Sequence, residues 1–316
     1  MFPQVARLYY DATDDATPFD AQWYRAMESI VKTYRQMQQP LTPDNFTTVN
    51  YTFQTLTHEP KDTSPHGIGR SHRWTGMVRT SFLPSDDSPR LPYHIPGNAF
   101  AVVELKGVAA MLRKLPPTDA FTAPAAGALA DKAAALANEI HAAIQRHGVI
   151  FHPQTGARAY AMEVDGFGNS FFGDDANPPS LLSLPFLGYV NASDPVYKAT
   201  RKLLLSNETN PYFYGSGDIV GGGLGGIGSE DASGNAGLGH VWGLSLVIRL
   251  LTIEGDDAAA EAEAVATLKA LVESSGGTGL MHESFWYTDP VSVRAYARTR
   301  VLNEHFTFPL PKVVYF

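Results

Sequence analysis

Helix-period segments alternate along this chain with long loops, and this alternation limits the folds that the sequence can adopt. Apolar residues recur at helical spacing in segments 19–39, 98–115, 128–147, 180–190, 194–206, 240–252 and 256–274. The loops between them, chiefly 40–97, 151–179 and 211–239, are rich in Gly, Pro and Asp. Because a plain helical bundle uses short turns, this pattern favours a toroid of helical hairpins around a pocket.

Several helix ends carry their own signals. Asp20 is the expected N-cap of the first segment, and Pro40 ends it. Asp194 is the expected N-cap of segment 194–206, where Pro195 occupies the first turn. Strand-period alternation is scarce. The predicted fold class is therefore all-α.

Composition excludes several classes of function. The 316 residues carry 24 Lys and Arg against 32 Asp and Glu, a net charge of −8, so no basic stripe for a nucleic acid is expected. No apolar run reaches the roughly 18 residues of a membrane span. The chain has no cysteine, and its loop histidines form no i, i+4 pair, so neither a disulfide nor a metal or other cofactor is expected.

The compartment of the protein stays open at this point. Residues 1–10 lack the charged and apolar regions of a signal peptide. Asn-x-Ser/Thr sequons, which are typical of secreted glycoproteins, begin at Asn45, Asn50, Asn191 and Asn207. We expect one domain over 1–316, in a monomer, with a divergent tail at 291–316.

The segment Gly223–Gly228 fits the G-x-G-x-x-G pattern of dinucleotide-binding loops. No strand is predicted before it, no βαβ unit surrounds it, and Glu230 and Asp231 follow where a phosphate would lie. Nucleotide binding is therefore not expected.

The chemically distinctive residues fall into blocks within the loops. These blocks are 81–87 (SFLPSDD), 93–99 (YHIPGNA), 162–182 (MEVDGFGNSFFGDDANPPSLL), 225–229 with 241–245, and 278–285 (TGLMHESF). Paired carboxylates such as these are what glycoside hydrolysis requires. Taken alone, however, acidic pairs beside Pro and Ser are more often turn residues or helix caps, and a His-Glu pair is more often a surface feature.

Together the blocks resemble glycoside hydrolase family 125, the exo-acting α-1,6-mannosidases, and in particular its fungal-type members. The stretch EVDGFGNSFFGDDANPPSLLSLPFLGY, at 163–189, is the most specific part. SFLPSDD and GGTGLMHESF support it in the expected order, and the resemblance covers roughly residues 15–285. It implies an (α/α)6-barrel-like toroid of helical hairpins, here incomplete.

The resemblance also implies a mechanism and its residues. The family inverts configuration, so a general acid and a general base should lie about 6.5–9.5 Å apart. The acid falls on Asp86 or Asp87, which remain alternatives, and the base falls on Glu283. Two adjacent carboxylates raise the pKa of one of them, as an acid requires. The remaining expected site residues contact the sugar: Asp174, Asp175, Asn177, His282, Trp74 and Asn98, with Phe285 and Trp286 as further stacking surfaces.

The chain departs from the family pattern at both ends and inside the blocks. An Arg-Asp-Ser motif has no counterpart here, and 292–316 replaces an aromatic run of the type Trp-Phe-Ala-Trp-Ala-Asn. Leu83 replaces an arginine, Glu230-Asp231 replaces Pro-His, and Gly243 replaces a proline. Loss of the arginine removes a donor that would orient an acid or a hydroxyl.

The expected function is hydrolysis of a terminal, non-reducing α-1,6-linked mannose with inversion, on a free or N-glycan-derived mannoside. Two alternatives remain. One is a catalytically inactive carbohydrate-binding remnant or truncated gene product of the same family. The other is a different sugar-active toroid, such as a glucoamylase-like hydrolase or a lyase, against which the 163–189 stretch argues.

Overall fold

The computed structural model describes residues 1–42, 64, 67–85, 87–117, 121–216, 225–229, 239–277 and 279–288. Within these ranges the helices are α1 Phe2–Thr13, α2 Ala21–Met37, α3 Ile95–Lys114, α4 Ala123–Ala143, α5 Pro195–Leu204, α6 Gly243–Leu251 and α7 Ala258–Glu273. A π-helical turn, Ile144–Gly148, continues from α4. The described fold is mostly helical, as the sequence predicted.

Short strands pair the loops with one another. They are β1 Tyr93–His94, β2 Val149–Phe151, β3 Arg158–Tyr160, β4 Glu163–Val164, β5 Ser170–Phe171, β6 Phe213–Gly215, β7 Gly225–Ile227, β8 His240–Val241 and β9 Phe285–Trp286. In the described ranges they form one sheet of order β1-β4-β5 and three antiparallel pairs, β2-β3, β6-β7 and β8-β9. Strands of two or three residues are too short for a periodic sequence signal, which is why the all-α prediction missed them.

Predicted caps account for several helix starts. The Asp20 carboxylate accepts hydrogen bonds from the N–H groups of Gln22 and Trp23, and α2 begins at Ala21. The Asp194 carboxylate does the same for α5, which begins at Pro195. Both predictions are confirmed.

Two helix predictions were wrong in part, and one helix was not predicted. Segment 180–190 forms successive turns, because Pro185 has no N–H to continue a helix and Gly188 adopts a φ of 80°. The start of segment 240–252 is strand β8, and α6 begins only at Gly243. Helix α1 was not predicted; Ala6 is its one buried residue, and its large apolar side chains Phe2, Val5 and Leu8 are exposed.

The core is built on α3 and α4. Small residues on both helices, including Ala109, Ala130 and Ala133, are fully buried and allow close helix packing. α3 is long and apolar enough to cross a membrane, but 67% of that apolar window is buried inside the fold, as is typical of a core helix. Ile95, the first residue of α3, packs against Gly148. A Cβ at residue 148 would lie only 2.7 Å from Ile95 Cδ1, so this position leaves no room for a larger residue.

A partly buried ion pair attaches α1 to this core. Arg7 Nε donates to Glu104 Oε2 at 3.1 Å, and Arg7 Nη2 donates to Glu104 Oε1 at 2.9 Å. Glu104 is buried on α3. Gly107, one turn further along α3, leaves room for the arginine, because a Cβ there would overlap Arg7 Cδ. The pair therefore fixes where α1 crosses α3.

Removal of this arginine tests the attachment. Arg7→Ala leaves the Glu104 carboxylate buried without its guanidinium, so we expect the free energy of unfolding to fall by about 2–4 kcal/mol in urea titrations. The matched control is Arg113→Ala, which breaks the exposed pair of Arg113 with Asp131 and should cost less than about 1 kcal/mol. Equal losses in the two variants would contradict the account.

Candidate active site

The loop with the predicted acids is closed on itself and anchored in the core. The Leu83 N–H donates to the Asp87 carbonyl oxygen at 2.8 Å, and the Leu83 side chain is buried in the main hydrophobic cluster. Ser85 and Asp87 are buried at 6% and 4% exposure. Leu83, which replaces the arginine of the family pattern, therefore serves as an apolar anchor for this loop. Asp86 lies outside the described residues.

Asp175 joins this loop to two others. Its Oδ1 accepts hydrogen bonds from the backbone N–H and the side-chain amide of Asn177, both at 2.8 Å. Its Oδ2 accepts a hydrogen bond from Ser229 Oγ at 2.7 Å. Burial raises the pKa of Asp175, while these donors and the nearby Ser85 hydroxyl lower it. One buried carboxylate thus binds the 174–177 and 225–229 loops and lies near Ser85 of the 81–87 loop.

Backbone pairing continues this connection towards the predicted base. The Ala176 N–H donates to the Gly228 carbonyl oxygen at 3.0 Å, and the Trp242 N–H donates to the Ile227 carbonyl oxygen at 3.1 Å. β8 then pairs with β9, where Val241 lies opposite Phe285. Glu283 is an exposed residue two positions before β9. Consecutive contacts therefore link Asp175 to the chain around Glu283.

Asp174 performs a different task from its neighbour. It is fully buried, and its two carboxylate oxygens accept the N–H groups of Leu181 and Leu182 at 2.6 and 2.8 Å. Its own N–H donates to Asn210 Oδ1 at 3.1 Å. Both oxygens therefore bind backbone N–H groups, as in a turn or cap, which was the structural alternative to a role in sugar binding. Asn177 is positioned through Asp175.

Asn98 and His94 fasten the start of α3. Asn98 Oδ1 accepts the Val78 N–H at 2.8 Å, and its Nδ2 donates to the carbonyl oxygens of Val78 and His94, both at 2.9 Å. Burial lowers the pKa of His94 to about 3, so the ring is neutral and its Nδ1 accepts the Gly97 N–H at 3.2 Å. The Asn98 side chain, predicted to bind sugar, is occupied by backbone groups.

The remaining predicted sugar contacts differ in exposure. Trp74 is 57% exposed, so its ring is accessible to a ligand. His282 is half-buried, and its Nε2 lies 3.2 Å from the Ser275 carbonyl oxygen. Phe285 is buried, whereas Trp286 is partly exposed and contacts the His240 ring.

Sequence reasoning assigned no role to three residues that connect the loops, although Ser229 lies in the 225–229 block. Ser229 binds Asp175, His240 binds Ser284, and the Arg90 guanidinium stacks 4.7 Å from the centroid of the Phe171 ring. Arg90 also donates to Tyr212 Oη at 2.9 Å. A lone Ser after a glycine run, or a lone His before an apolar helix, carries no distinctive spacing. Only their partners, far away in the sequence, identify them.

Comparisons with known proteins identify the family. The profile described as metal-independent alpha-mannosidase (GH125) matches residues 1–302, almost the whole chain. The chain belongs to this family.

Relatives of the protein in this family include the meiotically up-regulated gene 157 protein of Schizosaccharomyces pombe, which is 36% identical over 306 residues. That match covers 94% of this chain and 54% of the yeast protein. A Streptococcus pneumoniae metal-independent α-mannosidase, solved in a non-productive complex with α-1,6-mannobiose, is 35% identical with a TM-score of 0.77. It is matched over 92% of this chain and 62% of its own. The chain thus spans little more than half the length of these relatives.

The family assignment agrees with the resemblance based on the loop blocks, and it extends further. The match begins at residue 1 and therefore includes α1, and it runs into the 291–316 tail as far as residue 302. Among the described residues of this GH125 member, no cluster of three or more His, Asp or Glu side chains is arranged to hold a metal ion.

The buried Asp174 carboxylate makes stability depend on pH. Burial and the adjacent Asp175 charge raise its pKa to about 8, although the Leu181 and Leu182 N–H groups oppose the rise. The pKa of Asp174 in the folded protein exceeds the ordinary value of 3.8. Its contribution to the free energy of unfolding is therefore fully present below about pH 4 and is lost as the pH rises towards about 8. We expect the free energy of unfolding, measured in urea, to fall across this window.

Asp174→Asn should make that dependence shallower, since the amide does not ionise. Asp257→Asn is the matched control, because Asp257 is an exposed cap whose carboxylate also accepts two backbone N–H groups. An Asp174→Asn variant with the slope of the unmodified protein would contradict the assignment.

Proposed function

We propose that this protein is an inverting exo-α-1,6-mannosidase that removes terminal, non-reducing mannose from α-mannosides. The observation that carries the proposal is the series of contacts from Asp175, which lies near Ser85, through Ser229 to the β8–β9 pair. This series supports a shared site for the loops of the predicted acid and the predicted base. The α-1,6-mannobiose bound to the related S. pneumoniae enzyme supports the substrate class.

In the proposed reaction Asp86 or Asp87 donates a proton to the glycosidic oxygen as the C1–O bond breaks. Glu283 removes a proton from a water molecule that attacks C1 from the opposite face, and mannose leaves as the β anomer. Asp87 is buried in a closed loop, away from bulk water, as is typical of residues that act inside a pocket. Exposure of Glu283 suits a base that works through water.

We propose that the sugar is held by loops rather than by helix faces. The exposed ring of Trp74 offers an apolar surface to a pyranose ring. Asn177, which is partly exposed and is held by the buried Asp175–Ser229 pair, supplies a polar group for a sugar hydroxyl. The neighbouring Asp174 is held in place by the backbone N–H groups of Leu181 and Leu182.

We also propose that the described helices are part of an (α/α)6 toroid. Val265, Leu268 and Val272 form an exposed apolar stripe on α7, and Phe2 and Val5 form another on α1. Exposed stripes of this kind are typical of helices that pack against further helices. The match covers 62% of the S. pneumoniae chain, so that related protein has further residues beyond the matched region.

A second candidate is a carbohydrate-binding protein without turnover. It is favoured by Leu83, which stands in place of the arginine donor of the family pattern. The two candidates separate in one assay, because both bind mannosides and only the enzyme releases mannose.

The predicted base is tested with α-1,6-mannobiose and NMR detection of the released anomer. We expect β-mannose first, and Glu283→Gln should lower kcat by about 10²–10⁴ while mannobiose binding, followed by calorimetry, persists. Glu261→Gln, an exposed substitution on α7, is the matched control and should retain full activity. Binding without mannose release by the unmodified protein would instead establish the second candidate.

The predicted acid is identified by comparing Asp86→Asn and Asp87→Asn on two substrates. On mannobiose the acid variant should lose about 10²–10⁴ in kcat. On a dinitrophenyl α-mannoside, whose leaving group needs no proton, the same variant should lose less than about tenfold. If both variants lose activity equally on both substrates, neither residue is the acid. Thermal unfolding confirms that each variant is folded.

A further inference from the structure

His240 lies at the junction between β8 and the chain that carries Glu283. Its side chain is 6% exposed, and its Nδ1 is 3.1 Å from Ser284 Oγ, a buried hydroxyl next to Glu283. The imidazole also contacts the Trp286 ring, with 4.4 Å between centroids and 51° between planes. One side chain therefore contacts the residues one and three positions after Glu283.

The backbone around this contact is paired on both sides. His240 lies opposite Trp286, and the Tyr287 N–H donates to the Gly239 carbonyl oxygen at 3.2 Å. Gly239 has a φ of 84°, and a Cβ there would lie 2.7 Å from the Trp286 ring. Residues 239–241 and 285–287 thus form one closely packed unit that begins directly after Ser284.

The backbone of His240 lies against the 225–229 loop, which contacts Asp175. A Cβ on Gly228 would overlap the His240 carbonyl oxygen, so the two chains are in direct backbone contact. Ser229, the next residue, donates to Asp175. His240 therefore lies between the polar cluster and the chain around Glu283.

Glu283 itself is exposed, and the preceding Leu280 and Met281 are exposed as well. The orientation of the Glu283 side chain must therefore be set by the neighbouring residues. His282 Nε2 lies 3.2 Å from the Ser275 carbonyl oxygen on one side of it, and Ser284 is held by His240 on the other. A general base must lie within hydrogen-bond reach of the water that it activates, so this local anchoring matters for the reaction.

We propose that His240 is a positioning residue for Glu283. The Ser284 hydrogen bond and the Trp286 contact fix the backbone direction at residues 283–284, and so aim the carboxylate at the water beside the mannoside. This inference rests on the proposed function, since it assigns a role to a residue that supports the base of that reaction.

The test compares His240→Phe, His240→Asn and Ser284→Ala on α-1,6-mannobiose. Phe keeps a ring against Trp286 and loses the hydrogen bond, so kcat should fall by about 10–100-fold. KM should change by less than about threefold, because substrate contacts remain. Asn keeps a polar group near the position of Nδ1 and should recover most of the lost kcat. The double variant His240→Phe/Ser284→Ala should be no slower than either single variant, because one shared bond is removed.

His152→Phe is the matched control. His152 makes the same two kinds of contact, with its Nδ1 3.3 Å from Thr155 Oγ1 and its ring 4.7 Å from that of Phe172. It lies on a different hairpin, so its substitution should leave kcat unchanged. If His240→Phe behaves like His152→Phe, or if the double variant shows additive losses, the positioning role is wrong.

Two further outcomes are distinguishable. If the unmodified protein binds mannobiose but releases no mannose, the proposed function fails and the positioning role fails with it. If the unmodified protein is active and His240→Phe does not fold, the other two variants decide. A normal kcat in Ser284→Ala overturns the inference. A lower kcat in Ser284→Ala, together with a nearly normal kcat in His240→Asn, supports it.

Discussion

Two adjacent buried carboxylates, Asp174 and Asp175, hold the polar loops of this protein together. Neither is exposed enough to be stabilised by water, so each depends on hydrogen-bond donors from other parts of the chain. Asp174 takes the N–H groups of Leu181 and Leu182, and Asp175 takes Asn177 and Ser229. Because an unsatisfied buried carboxylate is costly, these partners have little freedom to move away.

This constraint explains how loops without long strands can present an ordered site. The helices, chiefly α3 and α4, supply the apolar core, while the loops are joined by strands of only two or three residues. Such short pairings are weak alone. They are reinforced by buried side chains at their ends, namely Asp175 beside β7 and His240 on β8.

The sequence predicted the long helices well because their apolar periodicity and their Asp caps act locally. Asp20 and Asp194 are examples, and both cap as predicted. Prediction failed at 180–190, where the apolar pattern is helical but Pro185 and Gly188 prevent continuous hydrogen bonding. Local rules could not reveal β8 and β9 either, since each forms only because the other lies beside it.

The candidate site shows the same division. The blocks with Asp87, Asp175 and Glu283 were recognisable from residue type and family resemblance, but the residues that connect them were not. Ser229 and His240 have no unusual spacing, and they matter through partners that are 54 and 44 positions away. Asn98 was conspicuous in its block from residue type alone, but its hydrogen bonds to the backbone of Val78 could not be predicted from the sequence.

The separation of the acid and the base across a bound disaccharide tests the central claim most directly. A crystal structure of Glu283→Gln with α-1,6-mannobiose would provide it. We predict that the side chain at 283 and the carboxyl group of the acid at 86 or 87 lie about 6.5–9.5 Å apart on opposite sides of the scissile bond. Mannobiose bound elsewhere, with the two side chains facing different cavities, would contradict the account.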